Sequence, residues 1–106
     1  MYLNNGSVAR ILLLLALAGA ATPLRAADVN NGRQIYNQHC ASCHGPAGLS
    51  TMPNAPHVAR SGTLLQPDVM LLASIRAGRN AMPGYAGILK DQEILDVIAY
   101  MRTFRP

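Results

Sequence analysis

Cys40-Ala41-Ser42-Cys43-His44 sets two thiols three positions apart and a histidine directly after the second. Each thiol can add across one vinyl group of a single haem to leave two thioether bonds. The adjacent imidazole then lies under the iron and supplies a proximal nitrogen ligand. Three rival chemistries use similar runs. A structural zinc site needs four ligands, usually two cysteine pairs or one pair followed by a spaced histidine pair. This chain has two cysteines in all, and His39, His44 and His57 do not supply such a following pair. A thiol redox pair sits at a strand-to-helix junction, and no strand-like alternation surrounds Cys40. A disulfide between residues three apart is poorer still.

The elements that must hold these residues follow from periodicity. A first helix is expected from about Val29 to His39, capped by Asp28, whose short carboxylate accepts from the first free N–H groups. Val29, Gly32, Ile35 and Tyr36 share one face. Glycine inside a helix costs about 1 kcal/mol relative to alanine, so Gly32 implies close approach of another helix. Residues 45–62 contain three prolines and three glycines without periodicity and read as a loop. Pro67 to Arg79 reads as a second helix with Gly78 near its end, and Val69, Leu72, Ala73 and Ile75 give it an apolar side. Residues 80–90 are again irregular. The last helix spans about Asp91 to Phe104, with Ile94, Val97, Ile98, Met101 and Phe104 on one stripe. A full capping box would need Ser or Thr three residues before Glu93; Lys90 stands there, so Asp91 is the expected cap.

The N-terminus has the layout of a removed export signal. Arg10 and the amine precede an uncharged run of 11 residues from Ile11 to Ala21, which Thr22-Pro23 breaks. A membrane span needs about 20 apolar residues, so the run is read as a signal peptide over 1–26. Cleavage after Ala26 is preferred to cleavage after Ala27, because Arg25 is an awkward −3 residue for the second. The expected mature domain, 27–106, has 80 residues, near the lower limit for a self-sufficient core. A buried macrocycle would complete that core. The formal charge of +4 falls to +2 without Arg10 and Arg25, and two haem propionates would roughly cancel it. No basic run with interleaved aromatics supports nucleic-acid binding.

Gly32 and Tyr36, Cys40-x-x-Cys43-His44, Met82, and Val97-Ile98-Ala99-Tyr100-Met101 together resemble the class I c-type cytochromes, in particular small bacterial periplasmic monohaem members. The similarity covers about Val29 to Phe104. It implies an all-α cytochrome c fold, three main helices and Pro/Gly-rich loops wrapped around one covalent haem c. It also implies that Gly32 and Tyr36 meet Val97 and Tyr100, and that a methionine binds the far side of the iron. The chain departs from many relatives in having no tryptophan, so the tryptophan often found near a propionate has no counterpart. Met82 matches the family's ligand, 38 residues after His44 in a loop stiffened by Pro83 and Gly84. Met101 belongs to the helical stripe and reads as core. Met70 reads as core or partly exposed. Met52 lies eight residues after His44, a reach of roughly 27 Å when extended, and would round the macrocycle edge only under strain. A ligating imidazole donates its other N–H to an acceptor; in the family this is a proline carbonyl, which Pro56 or Pro53 could provide. His39 and His57 read as a helix-end and a loop residue.

The metal ligands implied are His44 and Met82, and the haem-binding residues Cys40, Cys43, His44 and Met82. With both axial positions filled the iron has no site for substrate, so the expected function is single-electron carriage in the periplasm, not enzymatic turnover. The expected partners are larger respiratory redox proteins met in small, transient contacts, with the carrier itself a monomer that has no membrane span after cleavage. The loop from Gly78 to Tyr85 is similar to that of cytochromes accompanying nitrite reduction and other anaerobic respiration. Two alternatives stand beside the carrier: a haem enzyme or gas sensor with an open sixth position, and a fixed cytochrome subunit of a dehydrogenase or reductase complex.

Overall fold

The computed structural model describes residue 6 and residues 25–105; the expected signal segment, apart from residues 6, 25 and 26, lies outside them. The described chain forms four α-helices: α1 (Val29–His39), α2 (Ala41–His44), α3 (Asp68–Ala77) and α4 (Asp91–Met101). A single 3-10 turn covers Thr63–Leu65. Among the described residues no strand forms; Arg79 with Met82 and Ala86 with Leu89 make isolated bridges only.

Helix α1 starts as its sequence dictates. The Asp28 carboxylate accepts from the N–H groups of Asn30 and Asn31, both at 3.0 Å. Its inward face is Gly32, Ile35 and Tyr36. Helix α4 lies across it with Ile94, Val97, Ile98 and Met101 buried. The crossing is closest at Gly32: a Cβ built there would lie 1.9 Å from the Asp96 carbonyl oxygen and 2.9 Å from the Val97 nitrogen. The expected meeting of Gly32 with Val97 therefore holds, and Tyr36 meets Tyr100 edge-on at 5.5 Å between ring centroids. Phe104 joins both rings at 5.1 Å, so three aromatic rings close one end of the crossing.

A carboxylate lies inside this core. Asp96 is 1% exposed, and its oxygens accept from the Asp28 N–H at 2.8 Å, the Asn31 amide at 2.8 Å and the Gln92 amide at 3.1 Å. Burial alone would raise its pKa. Hydrogen bonds from Asn31, Asp28 and Gln92, with Arg25 nearby, reverse that and hold the carboxyl below its ordinary value.

Two expectations for the helices change. The buried residue of α3 is Leu71, with Leu72 and Ile75 partly covered, whereas Val69 is 68% exposed and Met70 is 55% exposed. The helix rests on the domain by a narrow stripe rotated from the expected one. Helix α4 is capped not by Asp91 but at Lys90, whose N–H donates to the Glu93 carboxylate at 2.8 Å. This is the Glu half of a capping box, formed without a hydroxyl partner. The Asp91 carboxylate instead takes the Arg76 guanidinium at 2.7 Å, clamping the end of α3 to the start of α4. Arg102 likewise reaches Asp68 from the turn after α4. Both pairs are exposed and contribute little to stability.

Candidate functional site

The thiols stand where α1 ends and a single further turn begins. Cys40 receives the last backbone bonds of that region: the N–H groups of Cys43 and His44 both donate to its carbonyl, at 3.2 and 2.9 Å. The run is thus a tight helical turn, with Cys40, Cys43 and His44 all partly buried. Both cysteines are free thiols. Burial pushes the Cys40 thiol up to about 11, and the neighbouring Cys43 adds in the same direction.

Helix α1, α2 and two loops enclose a cavity of about 400 Å³. Its walls include Cys40, Cys43, His44 and Met82, so all four expected residues come together. His44 Nδ1 lies 3.1 Å from the Pro56 carbonyl oxygen. A carbonyl only accepts, so Nδ1 donates to it, and Nε2 is the nitrogen left free of that bond. Between the two prolines considered, Pro56 is the one bonded; Pro53 lines the cavity wall. The 50–57 loop that carries them is tied to the motif. Thr51 N–H and the Ser50 hydroxyl both donate to the Cys43 carbonyl, and His57 Nδ1 accepts from Ser50 N–H at 2.8 Å. His57 is accordingly a loop brace.

Met52 also lines the cavity, but it is 43% exposed and belongs to this same loop behind His44. Met82 comes from the other loop and is partly buried against the core. Its position is set by a turn in which Arg79 and Met82 exchange backbone bonds, each 3.0 Å long. The turn folds back on α3, where Tyr85 N–H donates to the Ile75 carbonyl at 3.0 Å. Gly78 permits this return: its φ is +72°, and a Cβ there would lie 2.4 Å from the Gly84 nitrogen. Met70 is not among the cavity walls, and Met101 is in the core.

Sequence reasoning passed over several wall residues. Tyr85 is buried, packs edge-on against His39 at 5.7 Å, and donates its hydroxyl to the His39 carbonyl at 2.9 Å. It pins the Met82 loop to the end of α1, and burial, followed by the nearby Cys40 and Cys43, raises its pKa. Asn54 and Asn80 line the cavity as well and have positive φ, at 67° and 54°. The available signal was an asparagine in each aperiodic loop, a residue that tolerates this conformation.

The donor set fits a covalently held haem. Two thiols, one imidazole with one nitrogen already hydrogen-bonded and one thioether share a cavity whose exposed lining is mostly apolar. Among the described residues no three His, Cys, Asp or Glu side chains gather into a metal cluster of their own. No helix among them is long and apolar enough to cross a membrane.

The same fold recurs in known proteins. Residues 27–101 match the family model described as cytochrome c oxidase, cbb3-type, subunit III. The chain is 36% identical over 93 residues to cytochrome c6 of Thermosynechococcus vestitus, covering 86% of this chain and 80% of the relative. It is 35% identical over 98 residues to cytochrome c6 of Nostoc sp., covering 85% and 86%. Among solved structures, the KustC0563 c-type cytochrome aligns with a TM-score of 0.64 at 25% identity, covering 71% of this chain and 98% of that one. Cytochrome c6 of the diatom Phaeodactylum tricornutum aligns with a TM-score of 0.56 at 32% identity, covering 71% and 91%.

Proposed function

The chain belongs to the monohaem class I c-type cytochromes, and from that premise we propose that it is an exported carrier of single electrons between larger respiratory redox proteins. The family's cofactor is one covalent haem c. Cys40 and Cys43 would hold it as thioethers, and His44 and Met82 would supply the ligands to its iron. When bound, the haem supplies an iron that accepts and releases one electron. The chain's own residues do the rest. Pro56 fixes the His44 ring and sets its tautomer. Tyr85 and the Arg79–Met82 turn hold the thioether in place, and that soft donor favours the reduced iron. With His44 and Met82 both bound to the iron, no coordination site would remain for substrate. The observation that carries the reading is the convergence of Cys40, Cys43, His44 and Met82 on one apolar cavity.

The finer placement rests on the leader-like residues 1–26, which make the mature domain 27–106 a product of export to the periplasm. The respiratory setting, nitrite reduction or another anaerobic chain, rests on the resemblance of the loop from Gly78 to Tyr85. A second reading draws on the match to an oxidase subunit III: the domain acts as a fixed relay within one complex. Stable co-purification with a single large partner would favour it; a free monomer on gel filtration would favour the carrier.

The test is a spectrum of the exported protein in both oxidation states, with acid–acetone extraction. Retained pigment is expected, with the weak near-infrared band of a thioether bound to ferric iron. Met82→Ala should abolish the band, lower the potential and admit carbon monoxide, while Met52→Ala and Met70→Ala should leave all three as in the wild type. A wild type that lacks the band and readily binds carbon monoxide would replace the carrier with a haem enzyme or sensor.

A further inference from the structure

Asn31-Gly32 is the one place in the expected mature domain, 27–106, where glycine follows asparagine. The other asparagines there, Asn30, Asn37, Asn54 and Asn80, precede residues that carry a side chain. The fold requires both members of the pair. Gly32 is where α1 crosses α4, and a Cβ there would lie 1.9 Å from the Asp96 carbonyl oxygen. The Asn31 amide donates to the buried Asp96 carboxylate at 2.8 Å. In an open chain the same pair is chemically labile. A glycine nitrogen, with no Cβ beyond it and a permissive backbone, is the least hindered nucleophile for the preceding side-chain amide.

We propose that Asn31 is a deamidation site that the completed fold closes, and that a chain modified there can no longer build the crossing of α1 and α4. The Gly32 nitrogen attacks the Asn31 side-chain carbonyl carbon. A carbon–nitrogen bond forms, the bond to the amide nitrogen breaks, and ammonia leaves with the Gly32 proton. Water then opens the cyclic imide at either carbonyl and leaves aspartate or isoaspartate; nothing is oxidised or reduced. Ring closure needs Asn31 to leave the helical backbone that α1 imposes and its amide to leave Asp96. It also consumes the Gly32 N–H, which in the fold donates to the Asp28 carbonyl at 2.9 Å. Helix and carboxylate together hold the reacting atoms apart. The product fails on charge and on length. A carboxylate at position 31 faces Asp96, which is 1% exposed, where an amide had donated to it at 2.8 Å. Two carboxylates that close do not both ionise. Isoaspartate also adds a carbon to the main chain directly before Gly32, where α4 leaves no room.

The test incubates the holoprotein in mildly alkaline buffer, both native and in urea above its unfolding transition. Deamidation is read at each asparagine by peptide mass mapping. Asn31 should convert in urea ahead of Asn30, Asn37, Asn54 and Asn80. In native buffer it should convert roughly 10³-fold more slowly, the suppression expected when only unfolded molecules react. Equal rates at Asn31 in the two conditions overturn the proposal, as does conversion in urea no faster at Asn31 than at Asn37. The consequence is read on Asn31→Asp, whose urea midpoint should fall below that of the wild type. Asn31→Asp combined with Asp96→Asn restores one pairing of amide with carboxylate and should recover part of that loss. An Asn31→Asp protein as stable as wild type overturns the proposal, and so does a double variant no more stable than Asn31→Asp alone.

Discussion

Gly32→Ala is expected to destabilise the domain even though alanine is the better helix former. On an isolated helix the change would gain about 1 kcal/mol. Here the added Cβ would sit 1.9 Å from the Asp96 carbonyl oxygen and 2.4 Å from its carbon, where ordinary contact begins near 3.4 Å. The opposing atoms are backbone, so no side chain can swing aside. Helices α1 and α4 must part by about 1.5 Å, and a gap even smaller than that forfeits a quarter to a half of each contact across the crossing. Parting also stretches the bonds from Asn31 and Asp28 to Asp96. Overpacking of a well-filled core costs about 1–3 kcal/mol, and a clash with main chain belongs at the upper end. After the propensity gain, about 2 kcal/mol of net destabilisation remains, and Gly32→Val should cost more. For a domain of this size, with a urea slope of about 2 kcal/mol per molar, the alanine variant should unfold at about 1 M lower urea. The assay is urea unfolding of the holoprotein followed by far-ultraviolet circular dichroism. An alanine variant as stable as the wild type would refute the close crossing.

Asp96 makes stability depend on acid. Its folded pKa lies below the ordinary 3.8, so its contribution is complete above that value and disappears as pH falls through the lower, folded one. Asp96→Asn should flatten this acid limb. It should also cost about 1–3 kcal/mol at neutral pH, because one of the buried donors loses its acceptor; pH-resolved denaturation of both proteins tests this. Gly78→Ala is expected to strain the return of the Met82 loop, given its φ of +72° and the 2.4 Å approach to Gly84. The readouts are a weakened sulfur band and faster carbon monoxide binding, and a variant matching wild type in both would show that the turn does not position Met82.

The parts legible in the sequence are those written in local pattern. The Asp28 cap, the buried face of α1, the α4 stripe and the attachment run depend on neighbours three or four residues apart. What escaped depends on partners far along the chain. Asp96 lies off the apolar stripe of its helix, and nothing local announces that Asn31 and Asp28 will meet it. Pro53 and Pro56 present equivalent carbonyls in an aperiodic loop, and the choice of Pro56 depends on how Ser50 and Thr51 tie that loop to Cys43. The buried side of α3 is harder to read because seven of its ten residues are apolar, and Leu71, with Leu72 and Ile75 beside it, faces the core while Val69 does not.

The ties between Asp96 and the start of α1 span 65 and 68 residues of chain. A polypeptide that crosses a membrane N-terminus first delivers residues 40–44 well before residues 91–101. Until the last helix arrives, α1 has no surface on which to bury Tyr36, and the loop that must be closed carries its full entropic cost. Under the proposed export, that order of emergence would open an interval in which Cys40 and Cys43 are reachable for haem attachment and the fold that later encloses them cannot yet form. A circular permutant that places 91–101 ahead of 29–44 would close that interval, and it should yield less covalently modified protein at equal final stability.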